Sequence, residues 1–168
     1  MITVGHVQTM AHYNAWQNTS LVAAADTLTD EARREDRGAF FGSIQRTFSH
    51  LLWADQIWIS RFAGTPKPDG GIPQSGDLYA EWEHFKETRQ AIDETFLSWS
   101  EALEPIWLDG DLTWWSRAAN SEVRKPKSLL VTHVFNHQTH HRGQIHAMVT
   151  AAGAKPDDTD LFLLAAHD

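Results

Sequence analysis

Hydrophobic residues recur at steps of three and four residues in four long stretches of the chain, which is the period of an amphipathic helix. The four stretches are residues 4 to about 28, 40 to about 62, 78 to about 103, and 127 to about 153. Ser75-Gly76-Asp77 offers an N-terminal cap for the third stretch. The pattern predicts four long helices.

The connections between these helices are long. Residues 29–38 are highly charged and predict a solvated loop or a loose helical turn, and residues 64–73 contain three Pro and three Gly, which predict a loop. Residues 104–127 break the helical period with Pro105 and the Asp109-Gly110-Asp111 turn signal, and they predict a short irregular or hairpin segment. The predicted fold is an all-α four-helix bundle with long connections, in one domain over residues 1–168. Bundles place their sites inside, on facing helices.

The composition narrows the possible chemistry. The 168 residues include ten His but no Cys, so any transition-metal site must use imidazole and carboxylate ligands. The formal charge of −8 and the lack of a Lys/Arg cluster argue against a direct nucleic-acid partner. The sequence shows neither a signal peptide nor an apolar run long enough to span a membrane, and we therefore expect a cytoplasmic protein.

Five of the histidines fall in the fourth predicted helix. At 100° per residue, His137 and His141 lie on its apolar stripe and point into the bundle, while His146 lies on the opposite side. His133 and His140 flank the stripe, where they are candidates for the wall or the outer layer of a pocket. Imidazoles one helical turn apart can bind the same metal ion.

A metal site needs a third ligand from another helix, and the second predicted helix offers His50. The helix face that contains His50 also contains small and polar residues, Thr47 among them, together with the aliphatic Ile57. Such a mixture is more typical of a pocket wall than of a packed core. Three histidines would leave a coordination position open, as in catalytic sites. The H-E-x-x-H metalloprotease motif is absent. On spacing alone, histidines that only pack in the core remain an equal alternative.

Other polar residues are candidates for supporting roles. Tyr13 and Asn14 of the first predicted helix are expected either to line the pocket or to pack in the core. Asp55 lies about 140° around the helix from His50 and is not expected to bind the same ion. Arg142 is expected to bind an anionic substrate group or to pair with an acidic residue across a dimer interface, and the interface is favoured.

The segment from His133 to Ile145, His-Val-Phe-Asn-His-Gln-Thr-His-His-Arg-Gly-Gln-Ile, resembles the signature of the DinB/YfiT-like family of metal-binding four-helix bundles. Three further segments are similar to the family pattern in the same order, so the resemblance covers nearly the whole chain. These are Tyr13–Asn18, Ser43–Asp55 and Gly153–Leu161.

The resemblance implies one divalent metal ion, nickel or zinc above all, bound by His50, His137 and His141 in a homodimer. Members with known chemistry are thiol S-transferases, in which the metal lowers the pKa of a bound low-molecular-weight thiol, and others are described as metal-dependent hydrolases. The implied function is activation of a bound water or thiol for reaction with a small molecule. The alternative is a non-catalytic, stress-associated dimeric bundle with a structural or vestigial metal site.

Overall fold

The structure is a computed structural model that describes residues 2–116 and 119–164. Four long helices, two short ones, a two-stranded sheet and a 3₁₀ turn follow one another along these residues. In chain order they are α1 (Val4–Asp26), α2 (Asp30–Arg34), α3 (Ile44–Ala63), α4 (Trp82–Glu101), α5 (Pro105–Leu108), β1 (Asp111–Ser116), β2 (Ser121–Pro126), α6 (Lys127–Ala151) and a 3₁₀ turn (Leu161–Leu163).

The four long helices form the predicted bundle. Helix α1 packs against α4 and α6, and α3 packs against the same two helices from the opposite side. Each long helix therefore has two neighbours and faces a third helix across the interior. Residues 29–38, predicted as a loop or a loose helical turn, contain the short helix α2.

The second and third long helices begin later than predicted. Helix α3 starts at Ile44 because Gly42 adopts a left-handed conformation (φ 83°) and the Ser43 hydroxyl caps the helix by accepting from the Arg46 N–H. The cap predicted at Ser75-Gly76-Asp77 is wrong, since α4 starts only at Trp82. Residues 72–79 form turns instead.

Contacts with α3 explain why residues 72–79 do not join α4. The backbone N–H of Tyr79 donates to the Ser49 hydroxyl, and the Tyr79 carbonyl accepts from the Gln45 side chain. The Ser49 hydroxyl in turn donates to the carbonyl of Ser75 at 2.6 Å. These buried hydrogen bonds use backbone groups that a helix would otherwise bond internally, so tertiary contacts override the local cap signal.

The segment before α6 contains a β-hairpin, which is one of the two structures predicted for residues 104–127. Strands β1 and β2 pair antiparallel, with Trp114 opposite Val123. Alternate residues of β1 are half-buried, and the ring of Trp114 meets that of Trp58 edge to face, so one face of the hairpin packs against α3.

The bundle interior contains two apolar clusters. One surrounds Phe48 and Phe85, and the other surrounds Phe96 and Val131. Between them, buried polar side chains from all four long helices form what we call the polar layer: Asn14, Asn18, Asp55, Arg89, Asp93, Gln138 and Arg142. Within the described residues, no helix is long and apolar enough to cross a membrane.

Candidate metal centre

The structure brings His50, His137 and His141 together between α3 and α6. One ring nitrogen from each lies within 4.8 Å of the others. The Nε2 atoms of His137 and His141 face each other at 3.2 Å, one helical turn apart on α6. Helices α3 and α6 pack antiparallel, with the ring of His50 beside that of His141 and the ring of Trp58 beside that of His133. The third ligand candidate therefore comes from a neighbouring helix.

Hydrogen bonds on the outer nitrogens orient two of the rings. The Ser75 hydroxyl donates to the carbonyl of Ile72 at 2.8 Å, so its oxygen is left to accept from the Nδ1–H of His50 at 2.8 Å. The Nδ1–H of His141 donates to the side-chain oxygen of Gln144, also at 2.8 Å. Both contacts place the proton on Nδ1 and leave the Nε2 lone pair free, which is how outer partners fix histidine ligands of metals.

Burial keeps the three imidazoles neutral. It lowers the pKa of His50 to about 4 and that of His137 to about 3, and in both cases the neighbouring His141 adds to the effect. The pKa of His141 is also lowered, first by burial. Neutral imidazole is the form that binds metals, so protons do not compete for these nitrogens near neutral pH.

An aromatic side chain that the sequence did not single out closes one side of the cluster. The ring of Phe41 stacks on that of His50 with the centroids 3.9 Å apart, and it lies 5.6 Å from the ring of His141. Phe41 precedes the left-handed Gly42, whose N–H donates to the carbonyl of Ala39. This tight turn directs Phe41 inward, whereas the neighbouring Phe40 is 83% exposed.

The cluster fits a first-row divalent ion. Two imidazole nitrogens that bind one zinc ion at about 2.0–2.1 Å lie roughly 3.0–3.4 Å apart at the usual ligand angles, and the facing nitrogens of His137 and His141 match that separation. Among the described residues, no carboxylate joins the three histidines in a possible metal-binding group. Three protein ligands leave at least one coordination position open.

Asp55 is directed away from the cluster, as expected. Its carboxylate accepts from Gln138 at 3.0 Å and from Arg89 at 2.6 Å, within the polar layer. Arg89 also donates to Asp93, and burial raises the pKa of Asp93 to about 6 although Arg89 acts against that rise. Because Gln138 follows His137 on α6, this hydrogen-bonded layer adjoins the metal centre.

Arg142 does not take the interface position favoured from the sequence. Its side chain is buried in the polar layer, where it donates to the oxygen of Asn14, and burial lowers its pKa to about 10. Asn14 itself lies in the layer and donates to Asp93. Tyr13 donates to the carbonyl of Thr159 at 2.6 Å and, together with Arg142, lines a separate cavity of about 280 Å³.

The remaining candidate pocket residues lie near the cluster but outside it. The Thr47 hydroxyl is buried and donates to the Ser43 carbonyl within its own helix. His133 and His140 are exposed on α6, and their rings lie 5.9 Å and 4.9 Å from those of His137 and His141, respectively.

The chain is similar in sequence and in structure to known proteins. The sequence profile of the DinB family matches residues 1–167. The chain belongs to the DinB family. It is 28% identical over 169 residues to the protein DinB of Bacillus subtilis (strain 168), with 90% of each chain covered. It is also similar to the crystal structure of a DinB-like protein from Bacillus cereus ATCC 10987, with a TM-score of 0.62 and 19% identity over 85% of this chain and 90% of that one.

The DinB assignment confirms the resemblance seen in the sequence, and the similar crystal structure confirms the predicted fold. Family membership and the three-histidine cluster are compatible with metal binding.

Proposed function

We propose that this DinB-family chain is a divalent-metal-dependent enzyme that activates a bound water or thiol. The observation that carries the proposal is the convergence of three neutral imidazole nitrogens, from His50, His137 and His141, with no fourth ligand among the described residues. A divalent ion there, nickel or zinc, would act as a Lewis acid that lowers the pKa of the bound water or thiol.

The chain's own residues prepare the site. Ser75 and Gln144 hold the Nδ1 protons of His50 and His141, so that both rings keep their orientation without an ion. Phe41 covers one side of His50, whereas His137 is only half-buried and leaves an approach for a small molecule. Pre-oriented ligands and an accessible coordination position are what a catalytic metal site requires.

The alternative is a structural or vestigial metal site in a non-catalytic, stress-associated bundle. Structural zinc sites are closed by four protein ligands, and only three potential ligands meet here among the described residues. That difference favours the catalytic function. The homodimer implied by the resemblance stays a prediction, which light scattering on the purified protein would test.

A thiol titration separates the two branches of the proposed chemistry. The protein loaded with Ni²⁺ is titrated with 2-mercaptoethanol, and ethylene glycol serves as the oxygen-containing control. Ligation by sulfur adds charge-transfer absorption to the nickel spectrum, and we expect this change with the thiol but not with the glycol. An unchanged spectrum at saturating thiol would count against the transferase branch and leave activation of water.

A further inference from the structure

A cavity of about 600 Å³ lies beside the metal centre, between α3, the loop before α4 and strand β1. Most of its wall is apolar, but two cations also line it. Six of its residues matter here: Trp53, Ile57, Arg61, Lys67, Ile72 and Trp115. The volume is within the range of small-molecule sites, which combine apolar walls with a few polar groups that fix the ligand's orientation.

Among the described residues, Arg61 has no carboxylate partner, although the chain has more acidic than basic residues, 22 Asp and Glu against 14 Lys and Arg. None of the ion pairs and hydrogen bonds among the described residues involves its guanidinium. Instead, its Cζ atom lies 4.5 Å from the ring centroid of Trp58 and 5.1 Å from that of Trp114.

The rings of both tryptophans lie within cation–π distance of the guanidinium, whose N–H donors have no hydrogen-bond acceptor among the described residues. Arg61 is half-buried, and this burial lowers its pKa. A partly desolvated cation without a counter-ion gains more from an anion than a fully hydrated surface arginine does. Its five N–H donors suit the two oxygens of a carboxylate.

The cavity and the metal centre share a wall. The ring of Trp53 lines the cavity, and its centroid is 6.0 Å from that of His50. Across the cavity, the loop residue Ile72 accepts from the Ser75 hydroxyl, which itself contacts His50. The Trp53 indole N–H donates to the carbonyl of Asp69 at 3.0 Å and so fixes this loop to α3.

We propose that this cavity binds a small organic carboxylate with a flat apolar body. Its carboxylate contacts Arg61, with Lys67 adding positive charge, and its body packs between Trp53, Ile72 and Trp115. Assigning this carboxylate as the organic substrate of the neighbouring metal centre rests on the proposed function, whereas its binding in the cavity does not.

The test uses metal-free protein, so that a carboxylate cannot bind through the ion. Isothermal titration calorimetry compares 2-naphthoate with 2-naphthylmethanol, which has the same ring system but no charge. We expect native protein to bind the carboxylate at least tenfold more tightly. Arg61→Gln should remove that preference, because it replaces a charge-assisted pair with a neutral contact. Arg124→Gln is the control, since Arg124 is 72% exposed and pairs with Asp111 on the hairpin.

A second variant keeps the test decisive if Arg61→Gln does not fold. Trp115 is 61% exposed, so Trp115→Ala should fold and weaken both compounds severalfold through lost contact with the ring system. The proposal is wrong if native protein binds neither compound at millimolar concentration, if it binds both equally, or if folded Arg61→Gln keeps the preference. It is also wrong if Trp115→Ala changes nothing. Metal loading is measured separately, so the failure of one proposal leaves the other standing.

Discussion

Replacing Ser75 with alanine tests whether the loop before α4 prepares the metal centre. Ser75→Ala removes the only acceptor of the His50 Nδ1–H among the described residues, at a site where both side chains are buried. A buried donor left without an acceptor costs about 1–3 kcal/mol, which should appear as lost stability of the metal-free protein. Loss of an outer partner of a histidine ligand typically lowers metal affinity by about 10- to 100-fold, and we expect that loss here.

Thr47→Val is the matched control. Thr47 is equally buried, and its hydroxyl lies one turn before His50, but it donates only to the Ser43 carbonyl of its own helix. Urea unfolding gives the stability of each metal-free variant, and competition with a chromophoric chelator gives its affinity for Zn²⁺. We expect Thr47→Val to bind zinc like native protein. If folded Ser75→Ala also bound zinc like native protein, the hydroxyl would not orient His50, and our reasoning about the outer contacts would be refuted.

Three further predictions concern the polar layer, the ligands and the aromatic cover. Arg89→Met leaves two buried carboxylates without their cation and should cost about 3–5 kcal/mol in urea unfolding, against less than about 1 kcal/mol for Arg124→Gln at an exposed ion pair. Metal-free protein should lose stability as the pH falls below 6.5, because the unfolded chain binds protons there while burial holds the pKa of His137 at about 3. His137→Gln should reduce that slope by at most about 1.4 kcal/mol per pH unit, the value for one proton, as denaturation at several pH values would show. Phe41→Ala should raise the pKa of the histidine stacked against it, measured by NMR, whereas Phe40→Ala should not.

Each of these predictions has a result that contradicts it. Equal costs for the two arginine variants would mean that the buried carboxylates find other partners. An unchanged acid slope in His137→Gln would mean that this histidine titrates normally in the folded protein. Equal histidine pKa values in the two phenylalanine variants would mean that the stacked ring does not exclude water.

The helices could be predicted because their burial follows the helical period, and the errors lie where tertiary contacts decide. The apolar stripe of α6 gave its range to within two residues. The start of α4 could not be predicted from its own sequence, because Ser49 and Gln45 of α3 bind the backbone of residues 72–79. A local cap signal at Ser75 contains no information about those partners.

The same distinction applies to the site. Histidine spacing on α6 and the family signature pointed to the ligand candidates that the structure brings together. Phe41 and Ser75 could not be predicted, since each reaches the cluster through a turn whose path depends on the folded bundle. The burial of Arg89 and Asp93, in contrast, could have been predicted from their positions on α4. At 100° per residue, both fall within about 80° of Phe85 on the apolar stripe of α4, where charged residues imply a buried partner.

Whether the three histidines bind a metal ion is tested most directly by elemental analysis of the untagged native protein beside His137→Ala and His141→Ala, with circular dichroism to confirm that all three are folded. We expect close to one equivalent of nickel or zinc in the native protein and its loss from both folded variants. Native protein that contains no metal and cannot be loaded with either ion would contradict this expectation, and the proposed enzymatic function would then be abandoned.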